Sequence, residues 1–301
     1  NAPVGILLDP LLEEDGSVKE GIGTGKVVVR DCVFNGCLAA FETGRNGNNN
    51  DEVTLDHVTV EGCETLLRLQ HPQSMGFRIR SALVRNGSKT SSGNAVEYTP
   101  EKTESVNVKD IIDVYAGGII YVEDMTVINA DSVLRLNNQV GGEHYYDKTV
   151  GTGDRIGSSN GFFSIKNIKI DQNAGTPKIV DMSDYYHGTR IIVENVQAPF
   201  SKWHDAIDAG SPATMYKLMG QVNITIRDCN LFQGCIAWVA SSPLIPNIVL
   251  DRCSLGNSPT SILEIMSKSN SIGQCYLSTR DCYDITTDKP LPDITAYIDA
   301  E

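Results

Sequence analysis

The chain has 301 residues, with 38 Asp and Glu against 25 Lys and Arg, a net charge of −13 and a pI near 4.8. Such a surface repels nucleic acid and anionic membranes, so neither is an expected partner. Hydrophobic residues make up 41% of the chain, enough for a continuous core, yet no run approaches the ~20 apolar residues of a membrane-crossing helix.

Residues 1–25 join an apolar segment, VGILLDPLL from Val4, to a polar glycine-rich link. They are expected to form an N-terminal cap or an imperfect first repeat, because the open end of a stacked fold must be covered. The GIGTGK from Gly21 to Lys26 is no phosphate loop: Glu20 stands where that pattern needs glycine and Val27 where it needs Ser or Thr. No charged stretch followed by an apolar one opens the chain, so no secretory signal is expected.

From Val27 the stretch VVVRDCVFNGCLAAFET sets a template that the chain rewrites. Its first half returns from Val53, Phe77, Ile120, Phe163, Ile191, Ile224 and Ile248, at spacings of 24 to 43 residues. Its second half returns as TLLRLQ from Thr65, AVEYT from Ala95, VLRLNN from Val133, KIVDMS from Lys178, TMYKLM from Thr214, IAWVAS from Ile236 and ILEIMS from Ile262. Alternation with period two inside each copy predicts strands, and self-similarity with a fixed minimum spacing predicts a solenoid whose copies stack to share one core. The fifth position of each copy breaks the alternation: Asp31, His57, Ser81, Asp124, Asn167, Asn195, Asp228, Arg252. Asp and Asn tolerate left-handed backbone, so a corner is expected there, with three short strands per repeat.

Long excursions are predicted at 99–118 and 138–161, leaving after the third strands of consecutive repeats. The second carries His144, Tyr145, Tyr146, Asp147 and Arg155, a mix suited to sugar stacking or a protein contact. A third, Phe200 to Ala213, carries Trp203 and His204. Tyr145, Tyr146, Arg155 and Trp203 are therefore the candidate ligand-binding residues.

The cysteines fall on the template. Cys32, Cys229 and Cys253 share the sixth position, Cys275 joins them if QCYL belongs to a degenerate ninth copy, and Cys37 and Cys63 share another position. Stacked core thiols are expected; a Cys37–Cys63 bridge or a metal site is the alternative, and the spacings match no zinc pattern. Residues 286–301, with KPLP and DITAYIDAE, are expected to be a tail or cap, either a last strand or an arm laid on a neighbour.

Aligned by their apolar positions, the third strands carry an outward column of Glu42, Arg68, Glu97, Arg135, Asp181 and Lys217, an apolar break near Trp238, and Glu264. Charges of opposite sign one strand apart would specify register.

The repeat from about 26 to 285, with its polar bends, resembles the right-handed parallel β-helix of the pectate-lyase-like superfamily and of phage tailspikes. The resemblance implies an all-β, single-stranded solenoid of about eight to nine rungs. It implies two kinds of work. As in phage rods, the chain would be a non-enzymatic spike, fibre or capsid decoration on a virion or cell surface, homotrimeric and bound to other virion or surface proteins. As in polysaccharide lyases, Asp181 would help hold Ca²⁺ against a uronate, and Lys217 or Arg135 would be the base; here each acid is flanked by bases that neutralise it. Under the first reading no catalytic residue, metal or cofactor is expected. A glycoside hydrolase would instead need two carboxylates about 5–10 Å apart, for which Asp147, Asp154, Asp181 and Asp184 are candidates. A carbohydrate-binding domain without turnover is the remaining alternative.

Overall fold

The computed structural model describes residues 4–8, 14, 25–43, 52–69, 76–87, 107–115, 118–137, 161–171, 177–183, 186–197, 215–231, 235–239, 246–255, 263–267, 274–285 and 287–299. Among the described residues there is no helix, and strands pair in parallel except at the C-terminal end.

The strands form three parallel stacks, the short second one including Val33–Asn35, Thr59–Glu61, Asn230–Leu231, Ser254–Leu255 and Tyr283–Asp284. The first runs from Lys26–Arg30 through Glu52–Asp56, Gly76–Arg85, Ile119–Ile128, Phe162–Asp171, Tyr186–Gln197, Tyr216–Arg227 and Asn247–Asp251 to Gln274–Arg280. Each strand meets the same template positions in the next, so Val28 pairs with Thr54 and Thr54 with Arg78. This register aligns Val53, Phe77, Ile120, Phe163, Ile191, Ile224 and Ile248 in one fully buried column. Burying each such side chain contributes roughly 1.5–3 kcal/mol, and only stacking makes that burial possible.

All eight fifth-position residues, and Asp281 in a ninth copy, have φ between 49° and 58°. The predicted corner is therefore a left-handed residue repeated down the molecule. Side chains bond along it: Asn195 donates to Asn167 at 3.0 Å, Asn167 to Asp124 at 3.0 Å, and Arg252 to Asp228 at 2.8 Å. A second left-handed bend, at Gly36, Gly62, Asn86 and Asn129, leads towards the third stack.

The third stack holds Val4–Leu8, Ala39–Thr43, Thr65–Leu69, Val108–Tyr115, Ala130–Asn137, Lys178–Met182, the start of Tyr216–Arg227, Ile236–Val239 and Leu263–Ser267. Val4–Leu8 thus adds a parallel strand beside Ala39–Thr43 at the end of this stack. It lies so close that a Cβ on Gly5 would sit 2.6 Å from the Ala40 carbonyl oxygen and 2.7 Å from the Phe34 ring.

Strict alternation fails in this stack. Adjacent pairs such as Leu66 and Leu67, Ile111 and Ile112, Val133 and Leu134, and Ile179 and Val180 all lie in the core. The N–H groups of Ile179 and Val180 both donate to the Met215 carbonyl, and those of Met215 and Tyr216 to the Cys235 carbonyl. A shared acceptor of this kind marks a bulge.

Two expectations are corrected. Residues 99–118 are not one loop, since they contain the strand Val108–Tyr115. That strand, not Ala95–Thr99, is the third strand of its repeat; Glu97 lies outside the described residues. The competing apolar pattern of AVEYT misled because DIIDVY breaks strict alternation, with Ile111 and Ile112 both in the core. The ninth first-stack strand is Gln274–Arg280 with Asp281 at its corner, so Cys282, not Cys275, takes the sixth position. All eight cysteines are free thiols: Cys32 is half-buried, the others buried, and the Cys37 N–H donates to Cys63 Sγ at 3.3 Å.

The C-terminal end reverses direction. Lys289–Pro290 lies antiparallel on Tyr283–Asp284, and Thr295–Asp299 antiparallel on Gln274–Arg280. The tail is therefore a last pair of strands.

Candidate functional site

Two charged columns run down the strands, and one was missed in the sequence. In the third stack the backbone register gives Glu42, Arg68, Asp113, Arg135, Asp181, Lys217, Ala237 and Glu264. Signs alternate as expected, with Asp113 in the place assigned to Glu97 and Ala237 supplying the apolar break.

This column is not the solvated face expected of it. Asp113 is 5% and Asp181 3% exposed, with neighbouring polar side chains bonded to both carboxylates. Arg68 lies 3.5 Å from Glu42 and 3.7 Å from Asp113. Asp181 Oδ2 accepts from Arg135 in a close pair and from Lys178 at 3.1 Å. Its Oδ1 is buried with no hydrogen-bond partner among the described residues. Lys217 stands beside Asp181 in the register, so the three residues named for lyase chemistry do come together.

Neutral polar side chains hydrogen-bond to the column and to Asp110 beside it. Asn137 donates to Asp113 at 2.5 Å and accepts from Arg135 at 3.2 Å and from Ser183 at 2.5 Å. Ser132 donates to Asp110 at 2.6 Å. Burial, reinforced by repulsion from Asp110, pushes Asp113 up to about 6, against the lowering effect of Asn137 and Arg68. Burial likewise raises Asp110 despite its bond from Ser132. Asp113 is thus a carboxyl held well above the usual range, with the Asp110 carboxyl, the Asn137 amide, the Arg68 guanidinium and the Lys109 ammonium acting on it.

The missed column occupies the fourth template position of the first stack. It reads Arg30, Asp56, Arg80, Glu123, Lys166, Glu194, Arg227, Asp251, Arg280, each in register with the next. Signs alternate without a break. Pairs close at 3.0 Å for Arg30–Asp56, 3.3 Å for Lys166–Glu194, 3.2 Å for Arg227–Asp251 and 2.6 Å for Arg280–Asp251. Hydrogen bonds from Arg280, outweighing burial, hold Asp251 below the usual carboxylate range, with Arg252 and Arg227 adding to the effect. Burial raises Asp56, but His57, Arg30 and Arg80 more than offset it and its pKa is lowered. The signal was present in the fourth letter of every copy and was passed over because the template left that position open.

Tyr145, Tyr146, Arg155 and Trp203 lie outside the described residues, as do Asp147, Asp154 and Asp184. Among the described residues no group of three or more His, Cys, Asp or Glu is arranged to hold a metal ion. No described helix is long and apolar enough to cross a membrane. Compared with known proteins, the chain matches no family model, no curated protein and no solved structure.

Proposed function

We propose that the chain is a right-handed parallel β-helix of nine rungs that works by shape and contact: a non-enzymatic spike, fibre or decoration module of a virion or cell surface, acting as a homotrimer with other surface proteins as partners. The observation that carries this reading is the alternation of charge in both columns. Glu42, Asp113 and Asp181 in the third-stack column are each flanked in register by a base, and Asp181 is bound by Arg135 and Lys178. A carboxylate so neutralised has little negative charge left for a cation or substrate, whereas alternating pairs oppose like charges at any one-rung slip and so favour a single rod. Mass measurement by light scattering tests the reading: a smallest species of three times 32.7 kDa, which does not dissociate further on dilution, is expected. A stable monomer, or turnover of a glycan that the variants below abolish, overturns it.

A second reading, a polysaccharide lyase or glycoside hydrolase, is favoured by two observations. Asp113 titrates at about 6, the range of a general acid, and Asp181 Oδ1 has no described partner. Under this reading Lys217 or Arg135 is the base and Asp181 a Ca²⁺ ligand. Incubation with acidic polysaccharides would release unsaturated uronates absorbing in the ultraviolet, and Arg135→Ala or Lys217→Ala would abolish the signal.

A further inference from the structure

We propose that the two edges of the first stack are complementary and join copies of this chain end to end. The inference goes beyond the function above and needs only the strand register; a lateral trimer is neither required nor excluded by it.

The first-stack column begins and ends on a cation, Arg30 and Arg280. Beyond Arg280 lies the antiparallel strand Thr295–Asp299, with Tyr297 against Tyr276 and Thr295 against Ser278. The pairing extends past the strand's end: the Thr279 N–H donates to the Ile294 carbonyl at 2.9 Å, and the Ile294 N–H to Thr279 Oγ1 at 2.9 Å. Two residues past Thr295 in the same register, Asp293 therefore stands abreast of Arg280. Its Oδ1 accepts the Asp281 N–H at 3.0 Å, which fixes the carboxylate. The column so gains an exposed acidic member at its C-terminal edge.

The opposite edge is basic. Lys26–Arg30 pairs with Glu52–Asp56 and with no other described strand. Its outward side chains are Lys26, Val28 and Arg30, and Val28 is 50% exposed. Val27, in register with the fully buried Val53 and Phe77, is only partly buried. At the other end Tyr297 is 67% exposed, and Thr295–Asp299 pairs with Gln274–Arg280 and with no other described strand. Unpaired edges with apolar side chains invite further strands.

A second copy whose Lys26–Arg30 strand lies along the free side of Thr295–Asp299 runs antiparallel to it, in the direction of Gln274–Arg280. With the register continued, the next copy's Arg30 faces Asp293, its Val28 faces Thr295 and its Lys26 faces Tyr297. The charge order then reads Asp251, Arg280, Asp293, and on to Arg30 and Asp56 of the next copy, with alternation intact across the junction. Lys26 beside Tyr297 repeats the cation–ring contact that Arg78 makes over Tyr121, 5.5 Å from its centroid. On the inner side Val27 and Val29 meet Ala296 and Ile294, extending the core. The two surfaces differ, so the contact is head-to-tail and open-ended.

Sedimentation velocity of the wild-type chain tests this over about a hundredfold range of concentration. The expected result is an average mass that climbs with concentration as elongated multiples of the starting species. Arg30→Glu disables one edge and Asp293→Lys the other, and each alone is expected to weaken association at least about tenfold. Mixed in equal amounts, the two variants meet through opposite charges at both kinds of junction between them, the native Asp293–Arg30 pair and the same pair with its signs exchanged, so association of the two in alternation should return. Recovery on mixing cannot come from misfolded variants. A wild-type mass independent of concentration, variants that associate like the wild type, or a mixture that fails to recover would each overturn the proposal.

Discussion

Replacing Asp113 with asparagine removes a buried carboxyl while keeping its shape, and its effect should depend on pH in a defined direction. The side chain is 5% exposed and its pKa is raised from 3.8 to about 6, first by burial and then by Asp110. The folded chain therefore holds this proton more tightly than the unfolded chain. The stability it contributes is fully present below the unfolded value near 3.8 and is lost as pH rises through about 6. A rise of this size corresponds to on the order of 3 kcal/mol. About 2 kcal/mol of it should fall between about pH 4.5 and about pH 7.5. Urea unfolding of wild type and Asp113→Asn at both pH values isolates the effect, because the titrating groups that do not interact with Asp113 cancel in the difference. The variant should gain about 2 kcal/mol on the wild type as the pH is raised. A difference that stays flat, or moves in favour of the wild type, would show that Arg68 and Asn137 keep the carboxylate ionised and would refute the burial account.

Asp251 accepts from Arg280 and Arg252 and lies 3.2 Å from Arg227; Asp251→Ala should cost about 1.5–3 kcal/mol by removing these charge-assisted bonds from half-exposed arginines, whereas Asp228→Ala at the exposed corner should cost under about 1 kcal/mol, both read by urea unfolding. Ser81 holds φ at 52°, so Ser81→Asn should raise stability by about 0.5–1 kcal/mol and Ser81→Val lower it, read as opposite shifts in thermal midpoint. Gly5→Ala would drive a methyl into the Ala40 carbonyl and the Phe34 ring; a loss of about 1–3 kcal/mol is expected, with faster amide exchange confined to Ala39–Thr43 and its neighbours.

The parts of the fold that were legible in the sequence are those with a strict local code. The left-handed corner announces itself through Asp and Asn, and it held even for His57, Ser81 and Arg252, because the flanking apolar positions had already fixed the phase. The third strand after Arg85 was misassigned, since two candidate segments compete there and Ile111 and Ile112 both lie in the core. Period-two reasoning penalises such a pair. Cys282 was displaced by Cys275 for a similar reason: QCYL looks like a corner until STRDC supplies a better one. In the candidate site, Arg135, Asp181 and Lys217 were found because a column is visible once strands are aligned. Their burial was not, because it depends on packing between stacks. The raised pKa of Asp113 follows from that burial and from Asp110 three residues earlier, and neither is marked by residue type alone.

The unbridged cysteines carry a consequence for how this molecule would age. Seven of the eight sulfurs are buried in the folded chain, and burial lifts Cys275 to about 12 and Cys229 to about 11, so most are poor nucleophiles at neutral pH. Melting releases them together into water, where a thiol ionises far more readily, and air can then weld strands in pairings that no stacked arrangement uses. Heating should accordingly be reversible under reductant and progressively irreversible without it, the damage being done by oxygen after unfolding and not by heat itself.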